Sequence, residues 1–405
     1  FVGTRIPVFR SDSAKGTFGC LSAMHGDSKL FLLSLAFILY VGAGYPLLLA
    51  TMAHCSRARI AKLAQLKPIS VIIAVRNGAP WIRRKLESIL AAGYPSRLLD
   101  ILIVSDASDD GTDEIVVQFA GQGVRLLRVP QGGKPAALTA AFPLVEGELL
   151  LLTDVRQEIE PESIARMVAC FADPKVGVVS GELIIRSGET NAETNLGSYW
   201  RYESWMRKQH SRIDSMLGAT GPFYMVRREL VVPLPPDVLL DDVYLPLKAF
   251  FRGYRLVVEP TARAIDYPTT LETEFRRKVR TLAGNYQMMW LIPELLGPRN
   301  RMWFHYVSCK IARLFLPFAL ISLLVSSFWL PSPIRIIALA VQLGFYAIAL
   351  IDLLIPESAL LKRVTSPTRT ITVMMLAALW ALKIFFVEPR TLWTPTRTRA
   401  SDSAS

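Results

Sequence analysis

Carboxylates in short clusters are the residues of this chain best placed to do chemistry. Asp106, Asp109 and Asp110 lie within the stretch 105–112, Asp154 follows an apolar run, and Asp241 and Asp242 are adjacent. Neighbouring carboxylates repel, which raises the proton affinity of one and suits it to act as a general base. A helix N-cap with an acid in the first turn is the ordinary alternative for that pair. For Asp109 and Asp110, ahead of Gly111 and Thr112, turn and cap formation is the stronger reading. Asp106, nearest the preceding apolar run, is the better ligand candidate. Gln131-Gly132-Gly133-Lys134-Pro135 can bring backbone N–H groups and an ammonium toward a phosphate, or can form a plain turn. The basic stretch 274–280 reads as a helix on a membrane surface.

These groups need elements to hold them. Apolar runs at 69–75, 101–104, 124–129 and 149–153 alternate with helical patterns at 81–92, 113–120 and 136–145. That alternation predicts an α/β domain with a mostly parallel sheet. Ligands of such sheets bind beyond the carboxyl ends of the strands, where Asp106 and Asp154 fall.

The surroundings are apolar. Hydrophobic residues make up 51% of 405, too many for one ordinary soluble domain. No charge occurs from Leu30 to Ala53, a length that at about 1.5 Å per residue crosses a hydrocarbon core of about 30 Å. Arg57, Arg59, Lys62 and Lys67 follow and mark the cytosolic side. The expected organisation is a polar segment 1–29, a transmembrane helix 30–53 and a cytosolic domain 57–300 with interfacial helices near 272–300. Transmembrane helices 311–330 and 336–355, a transmembrane or re-entrant helix 371–387 and a polar tail 388–405 complete it. Four crossings would leave Arg390, Arg397 and Arg399 outside, against the charge rule, which is why the last helix reads as re-entrant.

A formal charge of +12 gathers beside the apolar stretches, as on the flanks of membrane helices, and does not form a nucleic-acid surface. Cys20, Cys55, Cys170 and Cys309 are far apart, without the spacing of a structural metal site, so they are expected as reduced thiols.

Taken in order, these segments resemble the processive-type family 2 glycosyltransferases, the group containing cellulose, chitin, hyaluronan and poly-N-acetylglucosamine synthases. The resemblance covers about residues 65–290 and extends to the flanking helices. It implies a GT-A-type α/β domain inserted between transmembrane helices. Asp106 matches the acid that contacts the nucleotide base, and Lys134, in Gly133-Lys134-Pro135-Ala136-Ala137-Leu138, the lysine near the donor diphosphate. Asp154 matches the first acid of the DxD motif, which binds donor phosphate with a divalent cation, so Mg2+ or Mn2+ is expected. Asp242 matches the general base of the [TE]D motif, with Asp241 before it. Gly221, Pro222, Phe223 and Tyr224 resemble the loop lining the acceptor site, where the two rings offer faces for a sugar. Arg280 matches the arginine of QxxRW, which touches the diphosphate.

The chain departs from that pattern at three places. Arg156 replaces the second DxD acid, where its charge could itself neutralise phosphate. Arg277 and Thr281 stand where QxxRW has Gln and Trp, which removes a planar group that helps hold an acceptor sugar. Arg76-Asn77-Gly78 lacks the acid that commonly follows Asn.

The expected function is inverting transfer of a sugar from a nucleotide-sugar, UDP-linked, to a growing polysaccharide or lipid-linked acceptor at the inner membrane of a bacterium. Asp242 would take the acceptor proton, while Lys134, Arg280 and a cation steady the leaving diphosphate. The altered QxxRW favours single addition to a polyprenyl-phosphate or glycolipid acceptor. Rivals from other classes are a transport subunit, against which the few charges deep in the spans argue, and a non-catalytic nucleotide-binding partner.

Overall fold

A computed structural model describes residues 26–186, 191–267, 270–356, 359 and 361–393, with backbone alone at 26–27 and 191–198. The core is one eight-stranded sheet: β1 (Ile69–Val75), β2 (Leu99–Asp106), β3 (Val124–Val129), β4 (Leu149–Thr153), β5 (Glu158–Ile159), β6 (Val176–Ile185), β7 (Phe223–Arg227) and β8 (Arg255–Asp266). The order is β3-β2-β1-β4-β7-β6-β8-β5. The half β3-β2-β1-β4 is parallel throughout. β7 runs antiparallel between β4 and β6, whereas β6 and β8 pair in parallel. This is the mixed, mostly parallel sheet of a GT-A-like domain, as the apolar runs predict.

Helices within the domain are α3 (Ala79–Leu90), α4 (Thr112–Val117), α5 (Lys134–Ala141), α6 (Ser163–Cys170), α7 (Asn191–Ile213), α8 (Asp241–Phe251) and α9 (Leu271–Leu291). They follow α1 (Gly26–Leu39) and α2 (Tyr45–Cys55) and precede α10 (Trp303–Tyr306), α11 (Ala312–Ser327), α12 (Ile334–Ile351) and α13 (Lys362–Trp380). The central strands are buried on both faces. Ile69, Val71 and Ile73 face one core with Ile82, Leu86 and Ile89 of α3, while Ile72 faces the other with α5 and α8. That is why these strands read as continuous apolar runs and not as alternating ones.

Four helical stretches are long and apolar enough to cross a membrane: Ser28–Cys55, Trp303–Ser327, Ile334–Leu354 and Lys362–Phe385. They start before the expected boundaries, the second and fourth by about two turns, where Trp303–Tyr306 and residues 362–370 lead into the apolar part. The first and second stretches contain π-turns, Tyr40–Gly44 and Val307–Ile311. A 2.7 Å bond between Tyr40 Oη and Ser308 Oγ joins them. Just beyond, the buried Tyr45 hydroxyl lies 2.7 Å from His210 Nε2 of α7 and 3.0 Å from His305 Nδ1.

The chain's last described residues return to the domain. Phe385 packs on Tyr286 and Trp290 of α9, Arg390 pairs with Asp237, and Trp393 lies over Arg280. Both ends of the stretch 303–393 therefore sit against the sheet domain.

One packing constraint is testable. A Cβ at Gly181 in β6 would lie 2.2 Å from Cδ1 of Phe223 and 3.0 Å from the carbonyl oxygen of Ala262. The Phe223 ring is fully buried and cannot swing aside. Gly181→Ala is expected to cost roughly 1–3 kcal/mol through overpacking, read as a lower unfolding midpoint in detergent. An unchanged midpoint would show that the ring relaxes freely.

Candidate active site

The site forms where β2 and β4 end and α5 and α8 begin. Asp106, the last residue of β2, is buried and accepts the backbone N–H groups of Gly132 (2.7 Å) and Gly133 (3.0 Å). Gly133 has φ +80°, a conformation that glycine adopts without strain and that lets the chain turn into α5. The glycine N–H groups thus face a carboxylate of the protein, and Asp106 anchors the loop that launches Lys134. Asp110 behaves as a cap, accepting the N–H of Ala79 at 2.9 Å and of Thr112 at 3.1 Å, so one carboxylate holds the starts of α3 and α4.

Lys134, the first residue of α5, places Nζ 2.8 Å from Asp154 Oδ1 and 3.2 Å from Asp241 Oδ2. Burial works against its charge, but Asp154 and Asp241 outweigh burial and hold the ammonium well above the usual lysine range. Asp154 is likewise pushed upward by burial, and Lys134, followed by Arg156 and Lys85, brings it below the usual carboxylate range. Asp242 moves the other way. Burial and the neighbouring Asp241 push it up to about 6, against the pull of Lys134 and Arg280.

The loop before β7 packs on these acids. Pro222 O accepts from Thr153 Oγ1 (2.7 Å) and from Asp154 N (3.3 Å). A Cβ on Gly221 would lie 2.7 Å from Asp242 Oδ2, so only glycine lets this backbone approach the carboxylate. Gly221 and Pro222 are half-buried and line the acids. Phe223 and Tyr224 do not offer ring faces: both side chains are fully buried in β7, a strand covered on both sides. Only the Tyr224 hydroxyl, buried and without a hydrogen-bond partner among the described residues, lies within electrostatic reach of Asp241, Asp242 and Asp154.

Arg156 is not a free cation at a phosphate. Its Nε and a terminal nitrogen grip Asp266 at 2.8 and 2.7 Å, and Gln157 Nε2 adds a third bond at 2.9 Å. The Asp266 side chain is 3% exposed, so this is a buried pair tying the loop after β4 to the end of β8.

Arg280, on α9, carries a buried Nε without a partner among the described residues and lies within electrostatic reach of Asp242, Asp241 and Asp154. Thr281 lacks an aromatic ring, but Trp393 lies 5.5 Å from the Arg280 guanidinium carbon. Nothing in local sequence pointed to Trp393, because the contact depends on the chain's return to α9.

Lys85 is a second residue that the motifs missed. It is fully buried under the end of β4, donates to Thr153 Oγ1 (2.6 Å) and Gln157 O (2.7 Å), and burial brings it down to about 7 against the pull of Asp154. Its signal is positional: it falls between Ile82 and Ile89 on the apolar face of α3.

Among the described residues, no three His, Cys, Asp or Glu side chains converge as a metal-binding group. Asp154 keeps one oxygen free of Lys134, and its side chain is 37% exposed. These residues fit a divalent cation that arrives with phosphates and water as its other ligands, and not a preformed metal cage.

Removing the Arg156 side chain would leave Asp266 buried with reduced pairing. Arg156→Ala is expected to destabilise the fold by about 3 kcal/mol, far more than the roughly 0–1 kcal/mol of a surface pair. Enzyme that remains folded should keep the wild-type dependence of rate on Mg2+ and Mn2+. A shifted metal dependence at unchanged stability would put Arg156 back at the phosphates.

Comparison with known proteins agrees with this geometry. The chain is 24% identical over 237 residues to the poly-beta-1,6-N-acetyl-D-glucosamine synthase of Staphylococcus aureus (strain COL), covering 56% of each chain. It is 26% identical over 240 residues to the probable glycosyltransferase YdaM of Bacillus subtilis (strain 168), covering 55% of this chain and 56% of that one. It thus spans little more than half the length of these curated relatives. The mannosyltransferase PcManGT of Pyrobaculum calidifontis, solved with GDP-Man and Mn2+, shares the fold with a TM-score of 0.70 at 22% identity, over 88% of this chain and 99% of that one. The pattern described as glycosyl transferase family 2 matches residues 70–232. A second, described as glycosyl transferase family group 2, matches residues 154–382, more than half of the sequence, and the chain therefore belongs to the family 2 glycosyltransferases.

Proposed function

We propose that this glycosyltransferase performs an inverting transfer from a UDP-sugar to a polysaccharide or lipid-linked acceptor at a membrane. One observation carries the reading: Asp242, raised in proton affinity, lies against the half-buried Gly221 backbone and within electrostatic reach of Lys134 and Arg280. A donor diphosphate belongs on the Lys134 and Arg280 side and an acceptor hydroxyl on the other. As the acceptor oxygen attacks the anomeric carbon, Asp242 removes its proton, and Lys134 and Arg280 stabilise the charge that develops on the diphosphate.

Three carboxylates, Asp154, Asp241 and Asp242, crowd around Lys134, and Asp154 keeps one oxygen free of it. A divalent cation, Mg2+ or Mn2+, would be held by that oxygen and the donor, and would offset the diphosphate's charge beside these acids. The mannosyltransferase PcManGT, which was solved in complex with both GDP-Man and Mn2+, accords with this. Asp106 would reach the nucleotide base only through the loop it anchors. Similarity to a poly-N-acetylglucosamine synthase supports an N-acetylhexosamine donor and polysaccharide synthesis. Arg277 and Thr281, in place of Gln and Trp, favour single addition to a lipid-linked acceptor as the second reading.

The contacts of the last residues bear on topology. Three crossings after residue 303 would leave residues 389–393 across the membrane from the domain, yet Arg390 pairs with Asp237 and Trp393 lies over Arg280. In the reading proposed here, α1–α2, α10–α11 and α12 cross, while α13 lies along the cytosolic membrane surface against α7 and α9. Residues 57–300 and 389–393 then share the cytosolic face, with basic Arg57, Arg59 and Lys62 beside the first span. Protease should cut both segments from that face alone, and cleavage from opposite faces would rule this topology out.

Asp242→Asn is expected to lower transfer by at least about a hundredfold while leaving nucleotide binding nearly intact, as loss of a general base does. In the wild type the rate should fall as pH drops through about 6, because the carboxyl must be ionised to accept a proton. Full turnover by Asp242→Asn, or a rate flat across that pH range, would remove Asp242 from the role.

A further inference from the structure

The turn from Thr153 to Gln157 carries Asp154, and its other four residues are held from behind. Thr153 Oγ1 and Gln157 O both accept from Lys85 Nζ, at 2.6 and 2.7 Å. Val155 lies against the start of α3, its Cγ2 3.3 Å from where a Cβ on Gly78 would sit. Arg156 pairs with Asp266 at 2.7 Å, and Gln157 Nε2 reaches the same carboxylate at 2.9 Å. The Asp154 side chain is the one that turns outward, with one oxygen on Lys134 and the other free of it. α3 runs under the whole segment, for Ser88 Oγ, about one turn beyond Lys85, accepts from Ile159 N at 3.2 Å.

Lys85 is an unfavourable residue for this place if the fold is all that it serves. It is 1% exposed and bonds a hydroxyl and a carbonyl, and no carboxylate lies within ion-pairing distance of it among the described residues. A buried ammonium without a paired carboxylate is destabilising. Met would fill the same space between Ile82 and Ile89 on the apolar face of α3 without that penalty. What Met cannot do is donate to two oxygens at once. An ammonium has three N–H groups, and a charged donor makes the stronger hydrogen bond.

We propose that Lys85 is a positioning residue for the donor's cation: it clamps both ends of the 153–157 turn and so fixes the free oxygen of Asp154. The proposal rests on the donor reading above and adds to it the residue that makes a single carboxylate sufficient. Arg156 stands in place of a second acid and is turned away to Asp266, so the cation has one protein carboxylate in this turn. A lone ligand on a loose turn would wander, and the groups behind a ligand are what keep its orientation.

The test uses the full-length protein in detergent, titrated with Mn2+ in the presence of UDP, with free Mn2+ followed by its electron paramagnetic resonance signal. Lys85→Met should weaken Mn2+ binding about tenfold or more, while UDP binding without metal and the unfolding midpoint change little. Lys85→Arg, which keeps a charged donor, should recover part of the loss. Thr153→Val removes one of the two clamped oxygens and should weaken Mn2+ binding in the same direction, which keeps the test open if Lys85→Met fails to fold. Wild-type Mn2+ binding in folded Lys85→Met, or in Thr153→Val, overturns the proposal. Equal weakening of UDP binding with and without metal overturns it too, because that pattern marks general damage to the domain. If the wild type binds Mn2+ no better with UDP or GDP than without them, the donor reading itself fails, and this proposal with it.

Discussion

The position of one ammonium, Lys134, governs the site. Asp154 comes from the end of β4 and Asp241 from the start of α8, and Lys134 joins them at 2.8 and 3.2 Å. Without it, carboxylates from separate elements would face one another across a partly dry space, where unit charges about 4 Å apart interact by about 4 kcal/mol at an effective dielectric near 20. The lysine is placed by backbone: Asp106 takes the N–H groups of Gly132 and Gly133, and that turn starts α5 with Lys134 aimed across the strand ends. Asp106, whatever else it touches, builds the loop that carries the cation.

This arrangement also separates the roles of two adjacent acids. Asp241 is buried beside Lys134, whereas Asp242, next in the chain, carries the raised proton affinity. Helical geometry turns successive side chains by about 100°, so neighbours point into different surroundings. The pair therefore divides into one acid that holds a cation and one that can accept a proton, from a sequence in which they are chemically identical.

Much of the fold was legible, because strands buried on both faces leave continuous apolar runs, and Asp106 and Asp154 fall at the ends of two of them. Local pattern also singled out the loop before Lys134 and the acid pair, and the family resemblance singled out Arg280. What was not legible depends on partners distant in sequence. Arg156 reads as a phosphate ligand until Asp266, at the end of β8, is seen to accept it. Phe223 and Tyr224 read as sugar platforms until β7 is found in the middle of the sheet, covered from both sides.

The membrane helices and the chemistry are mechanically connected through α9. One side of this helix sets Arg280 toward the acids, seats Gly284 against Leu240, and bonds Leu239 N and Asp237 O through Gln287. Its far end packs Tyr286 and Trp290 on Phe385, the last turn of the segment that follows α13. A shift of α13 would thus be passed to Leu239 and Leu240, the residues just before Asp241 and Asp242, and to Arg280 at the same moment. Close packing makes this transfer direct, because a Cβ at Gly284 would already meet Leu240 Cγ at 2.5 Å. The separation of Asp242 from Arg280 is accordingly tied to how the last helix rests on the domain.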